Sequence, residues 1–155
     1  MALIEELMTT ELFTVQPGES VRQVAVQMDK NGIGAVLVMD GDALKGLFSE
    51  RDLLRRVISA GLDPDTTSVG NVMTGDPVTV GPDASLRECA ELIRDRGFRH
   101  LPVVKDGTPV GILSSRDLQE HVLHGLESFI SEARYRKALE DGDDPYDHMG
   151  GSYAR

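Results

Sequence analysis

Residues Gly46 to Val57 read GLFSERDLLRRV, and residues Gly111 to Val122 read GILSSRDLQEHV. Gly, Ser, Arg, Asp, Leu and Val return at the same spacings. Extended outward, the register holds without a gap from Met8–Val57 against Met73–Val122, with 16 identities in 50 positions. Met-Thr, Thr-Val, Pro17/Pro82, Ser20/Ser85, Arg22/Arg87, Gly32/Gly97 and Val38/Val103 all recur ahead of the quoted stretch. Self-similarity at a fixed period marks a supersecondary unit that cannot bury its apolar face alone, so the two copies are expected to pack as a pseudo-twofold pair.

Each copy reads as strand, helix, strand, strand, helix. LFTV and PVTV are short β-rich runs stopped by Pro17 and Pro82. Ser20 and Ser85 then suit helix N-caps, VRQVAVQMDKNG and LRECAELIRDRG carry apolar residues at helical spacing, and Gly32 and Gly97 suit the C-terminal ends. AVLVMDGDALKGLFS and LPVVKDGTPVGILS are apolar runs joined by a turn containing Asp-Gly, a hairpin pattern. The last helix begins after Ser49 or Ser114. This gives an α+β fold of tandem β-α-β-β-α repeats: repeat 1 over 1–57, a polar, turn-rich linker over 58–72, repeat 2 over 73–124, and 125–155 as a helical extension with an acidic, mobile tail.

Composition narrows the function classes. The 155 residues are 40% hydrophobic, enough for a core, and no apolar stretch approaches the ~20 residues that cross a bilayer. The N-terminal MALIEELMTT carries acids where a secretory signal carries a basic region, so a cytoplasmic protein without membrane attachment is expected. A net charge of -10 disfavours contact with a nucleic-acid backbone. The single cysteine, Cys89, sits in a helical pattern and reads as a buried small apolar residue. No nucleophile and base stand in a recognisable pattern, and His121 and His124 lack a nearby third ligand, so neither catalysis nor a metal site is expected.

The chemistry of the repeated motif follows from its position. A strand passing into a helix brings backbone N–H groups and the positive helix end to one point, which favours a phosphate. Ser49 and Ser114 add a hydroxyl there, and Arg51 and Arg116 add a guanidinium suited to bidentate phosphate contact. Asp52 and Asp117, on the first helical turn, can accept hydrogen bonds from both hydroxyls of a ribose. Ser-x-x-Asp before an apolar helix is equally a capping-box variant that needs no ligand.

This order, with Met-Thr opening each copy, LPVV on a middle strand and Gly-x-x-Ser-x-x-Asp at the last strand-to-helix junction, resembles the cystathionine β-synthase (CBS) domain. Two copies resemble a Bateman module, over Leu7 to about Leu123. The resemblance implies two repeats packed sheet to sheet as a disc, with two clefts for adenosine-containing ligands such as AMP, ADP, ATP, NAD or S-adenosylmethionine, with or without Mg2+ and with no catalytic cofactor. It further implies that each cleft joins the motif of one repeat to the linker and middle strand of the other. Asp52, Ser49 and Arg51 would then face Thr74, Val78, Arg99 and His100, while Asp117, Ser114 and Arg116 would face Thr9, Phe13, Gly34 and Ala35. The first cleft would be the more positive and prefer longer phosphate chains. Arg99 reads otherwise as a solvated charge paired with Asp95 or Glu91. Repeat 1 departs from the family pattern in having Leu37 where repeat 2 has Pro102.

Beyond Leu118 the apolar residues Val122, Leu126, Phe129, Ile130, Ala133 and Leu139 keep helical spacing past the end of the repeat. Such a stripe calls for cover, either from the chain's own disc or from a second copy in a homodimer. The expected function is a regulatory module that binds an adenine nucleotide and signals to a protein partner the sequence does not name. A structural adaptor with degenerate clefts is the alternative.

Overall fold

The computed structural model describes residues 3–142. They form two compact units, divided between Asp117 and Leu118. The expected acidic tail beyond residue 142 lies outside the described residues.

Repeat 1 contains β1 (Thr14–Val15), α1 (Val21–Asn31), β2 (Ala35–Asp40), β3 (Ala43–Ser49) and a short α2 (Glu50–Asp52) that widens into a π turn over Leu53–Ile58. After β4 (Thr74–Gly75), repeat 2 contains α3 (Leu86–Arg96), β5 (His100–Lys105), β6 (Thr108–Ser114) and α4 (Ser115–Asp141). The helix ends follow their sequence signals. Ser20 accepts from the Gln23 N–H at 3.2 Å while Gln23 accepts from the Ser20 N–H, and Ser85 and Glu88 do the same, so both caps satisfy otherwise orphaned donors. Gly32 (φ 63°) and Gly97 (φ 68°) close these helices in the left-handed conformation that a side chain resists.

The hairpins place each motif. β2 and β3 pair antiparallel with Ala35 opposite Ser49, and β5 and β6 pair with His100 opposite Ser114. Their turns occupy equivalent positions, residues 41–42 and 106–107, and differ only in the residues that take the left-handed conformation. Repeat 2 turns on Asp106 (φ 50°) and Gly107 (φ 79°), whereas repeat 1 turns on Gly41 (φ 60°) and Asp42, its Asp40 being the last residue of β2.

The expected strand in PVTV is a single bridge, Val80 to Val103. In repeat 1, β1 runs parallel to β2, and the Leu37 N–H donates to Phe13 O at 3.1 Å. Pro102 stands at the position of Leu37 and has no N–H to offer the carbonyl of Val78, so the second ladder is a bond shorter.

The segment between the repeats is not a loose spacer. Thr67 O and Pro64 O accept from the first N–H groups of α1, Val21 and Arg22, and the Val69 N–H donates to Glu19 O. Arg22 and Asp65 form an ion pair beside them. Each copy thereby receives its lead-in from the other. Thr74 of β4 pairs with Leu47 in repeat 1, and its counterpart Thr9 bridges Ile112 in repeat 2; Ser68 bridges Ser20, and Leu3 bridges Ser85. Ile4 and Val69, at equivalent positions in these lead-ins, are both fully buried.

Repeat 1 owns a continuous core of Val15, Val21, Val24, Met28, Val36, Val38, Phe48 and Val57, completed by Val69 and Val72. In α3 of repeat 2 the buried residue is Cys89, whose thiol burial pushes up in pKa.

In the second unit, the described part of α4 exposes Val122, Leu126, Phe129, Ile130 and Leu139 by 48–69%. Among the described residues, no helix is long and apolar enough to cross a membrane.

Candidate functional site

Both Ser–Asp motifs fold as reciprocal caps. Asp52 Oδ2 accepts from the Ser49 N–H at 3.0 Å and from Ser49 Oγ at 3.1 Å, while the Asp52 N–H donates back to Ser49 Oγ. Asp117 Oδ2 accepts from the Ser114 N–H and Oγ, each at 2.7 Å, and the Asp117 N–H returns the bond at 3.1 Å. The capping reading is therefore true of both copies. It also changes the expected chemistry, because the Glu50 and Ser115 N–H groups donate to Gly34 O and Arg99 O at 3.0 and 2.8 Å. The N–H groups of Ser49, Glu50, Ser114 and Ser115 and the two serine hydroxyls, expected to face a phosphate, are thus engaged within the protein, which places that task on the guanidinium groups.

The two aspartates differ in what reaches their second oxygen. Asp52 is 8% exposed, with Oδ1 approached by Thr74 Oγ1 and by Arg56 Nε, each at 3.5 Å. Asp117 is half-buried on the wall of a cleft of about 440 Å3. That cleft gathers Thr9, Phe13, Gly34, Ala35, Ser114 and Arg116 around Asp117, the set the sequence groups together.

Arg99 and His100 line this same cleft, not one built on Asp52. Hairpin register is the reason: with His100 opposite Ser114, the start of β5 must lie beside the motif of its own repeat. Cross-repeat reach adds to this, since a Cβ on Gly34 would stand 3.7 Å from His100 Nε2. Arg99 and His100, expected on the Asp52 side, therefore stand in the Asp117 cleft, together with Glu11 and Glu50. Asp95 and Glu91, the alternative partners for Arg99, are occupied by Arg94 and Arg87. On the Asp52 side the structure joins Ser49, Asp52 and Thr74, whereas Arg51 and Val78 enter neither that cluster nor the Asp117 cleft.

Sequence reasoning missed Glu11 and Glu50 on the cleft wall. Glu50 was legible in principle, because it directly follows the capping serine at the strand end paired with Ala35. Burial holds the His100 imidazole below its ordinary pKa; Glu50 and Asp117 oppose this, and Arg99 adds to it. Among the described residues, no group of three or more His, Cys, Asp or Glu could hold a metal ion.

The model of the CBS domain matches residues 4–59 and 69–124. The chain belongs to the CBS-domain family. It is 32% identical over 118 residues to the CBS domain-containing protein YhcV of Bacillus subtilis, covering 76% of this chain and 84% of that protein. It is similar in structure to a putative signal-transduction protein with CBS domains from Burkholderia ambifaria, with a TM-score of 0.76 and 31% identity, covering 79% of this chain and 95% of that one. The CBS domain protein PAE2072 from Pyrobaculum aerophilum, solved in complex with AMP, matches with a TM-score of 0.68 and 29% identity, over 75% of this CBS pair's chain and 89% of its own.

Proposed function

We propose that the Asp117 cleft binds an adenosine nucleotide and that this CBS pair relays its occupancy to a partner protein. The observation that carries the reading is the convergence of a carboxylate on a long helix's first turn with two arginines, Arg99 and Arg116, in one cleft of about 440 Å3. That volume lies in the range of small-ligand sites, roughly 300–1,000 Å3. Ser114 uses Asp117 Oδ2, and the carboxylate has further lone pairs to accept from ribose hydroxyls. The arginines supply charge-assisted contacts to phosphate. The AMP complex of a family member supports the ligand class. Any Mg2+ would arrive with the phosphates, and the site groups named act as binders rather than as a nucleophile and its base.

Titration calorimetry tests this. Asp117→Ala is expected to weaken AMP binding by ten- to a hundredfold, on the order of 1.5–3 kcal/mol for a hydrogen bond to a charged group. Asp52→Ala, a change at a carboxylate held by Thr74 and Arg56, serves as the control and should shift that affinity by less than threefold. If both variants bind AMP as the parent does, the aspartates serve as caps alone; a parent that binds no AMP leaves the adaptor reading standing.

We further propose a homodimer through α4, because an apolar stripe with Phe129 69% exposed requires cover and an identical stripe on a second copy supplies it. Light scattering should report twice the 16.9 kDa chain mass, and Phe129→Glu should return the monomer. A parent that is monomeric at micromolar concentration removes the idea.

A further inference from the structure

The Asp117 cleft contains an acid that its own repeat does not supply. Glu50 belongs to repeat 1, directly after the capping Ser49, and its N–H donates to Gly34 O at 3.0 Å. Its side chain nevertheless lines the cleft of the other motif. A Cβ on Gly34 would stand 3.6 Å from Glu50 Oε2 and 3.7 Å from His100 Nε2, so the missing side chain at Gly34 is the space in which these two groups approach. Three positions at which the repeats disagree meet on this wall: Gly34 against Arg99, Ala35 against His100, and Glu50 against Ser115.

The resulting charge pattern is specific to this cleft. Arg99 and Arg116 set two positive charges against the carboxylates of Glu11, Glu50 and Asp117. The carboxylates outnumber the arginines before any phosphate enters, and the two arginines can contact one phosphate directly. Each further phosphate must be accommodated beside carboxylates, and like charges in a partly desolvated cleft repel more strongly than in water. Ser115, the counterpart of Glu50, would impose no such charge.

Building on the nucleotide reading above, we infer that Glu50 is a selectivity residue: its carboxylate, delivered across the module from repeat 1, favours adenosine ligands with a single phosphate and discriminates against di- and triphosphates. The same side chain makes the cleft a joint product of both repeats, since the helix turn that carries Glu50 also carries Asp52.

Calorimetric titration of AMP, ADP and ATP into the parent, Glu50→Ser and Glu50→Gln tests the inference. Both variants should improve ATP affinity about tenfold and AMP affinity about twofold, with ADP between, so that the AMP-to-ATP preference falls about fivefold. Glu50→Gln keeps the size of the side chain, which separates charge from shape. A preference unchanged in both variants, or one altered in Glu50→Ser alone, overturns the charge-selection role while leaving nucleotide binding intact. A parent that binds none of the three, at concentrations up to the millimolar range, overturns the nucleotide reading and this inference together. Loss of AMP binding in Asp117→Ala with an unaltered phosphate preference in Glu50→Gln isolates the failure to Glu50.

Discussion

In repeat 1 the helix after the Ser–Asp motif gives way to a π turn by Ile58, and the chain turns at Gly61 (φ 72°); in repeat 2 the same motif starts a helix of 27 residues. The start is common because the reciprocal cap is common. The continuation differs because Ser-Ala-Gly-Leu-Asp-Pro follows Ile58, a glycine and a proline together, whereas Gly125 stands alone within α4. The consequence reaches the site. Arg56, one turn beyond Asp52, contacts its carboxylate and donates to Met73 O at 2.8 Å, tying the turn to the lead-in of the other copy. The residue at that step in repeat 2 is His121, which is exposed. A duplicated motif thus became a closed structural corner in one copy and the wall of an open cleft in the other.

The strongest way to test this asymmetry is at the glycines where the exchanged lead-ins cross the hairpins. A Cβ on Gly46 would stand 2.7 Å from the backbone oxygen of Thr74 and 2.9 Å from Met73 Cγ, whereas a Cβ on Gly111 would meet Met8, with Cγ at 2.8 Å and Cε at 3.1 Å. Backbone in a strand pair cannot yield as a methionine side chain can. Gly46→Ala is therefore expected to cost about 3 kcal/mol and Gly111→Ala about 1 kcal/mol, measured as urea unfolding free energies. Met8→Ala should recover part of the second loss, and Met73→Ala little of the first. Equal costs at the two glycines would mean that the lead-ins are held with equal firmness.

These crossings also show what the sequence could and could not convey. Caps at Ser20 and Ser85, left-handed glycines at 32 and 97, and both hairpins follow from local residue chemistry, so they are readable one segment at a time. Exchange of the lead-ins is a tertiary choice, and residues 3–7 share no identity with 68–72; only the apolar pair Ile4 and Val69 hints at it. The loss of a strand in PVTV was readable from Pro102, whose missing N–H removes a ladder bond. The placement of Arg99 and His100 was readable from the hairpin itself, since a two-residue turn after Lys105 carries His100 to Ser114. What pointed the other way was the cross-repeat pairing implied by the resemblance.

The smallest expected effect belongs to His100, whose counterpart Ala35 cannot titrate. Burial lowers the folded-state pKa of His100 from 6.5, with Arg99 adding to the shift and Glu50, Asp117 and Asp52 opposing it. The folded chain therefore binds this proton less readily than the unfolded chain does, and stability must rise with pH across the interval between the two pKa values. Its contribution is whole above about pH 6.5, declines as pH falls toward the folded-state pKa, and levels off below it. Partial exposure of the ring keeps the effect modest. Urea midpoints of the parent and of His100→Ala, recorded from pH 8 to pH 5.5, isolate it, because His121 and His124 are exposed and present in both chains. The parent should lose stability on acidification faster than the variant, and the gap should open below about pH 6.5. Parallel curves would mean that the cleft wall leaves His100 as solvated as a surface histidine, and that the two repeats do not differ in this respect.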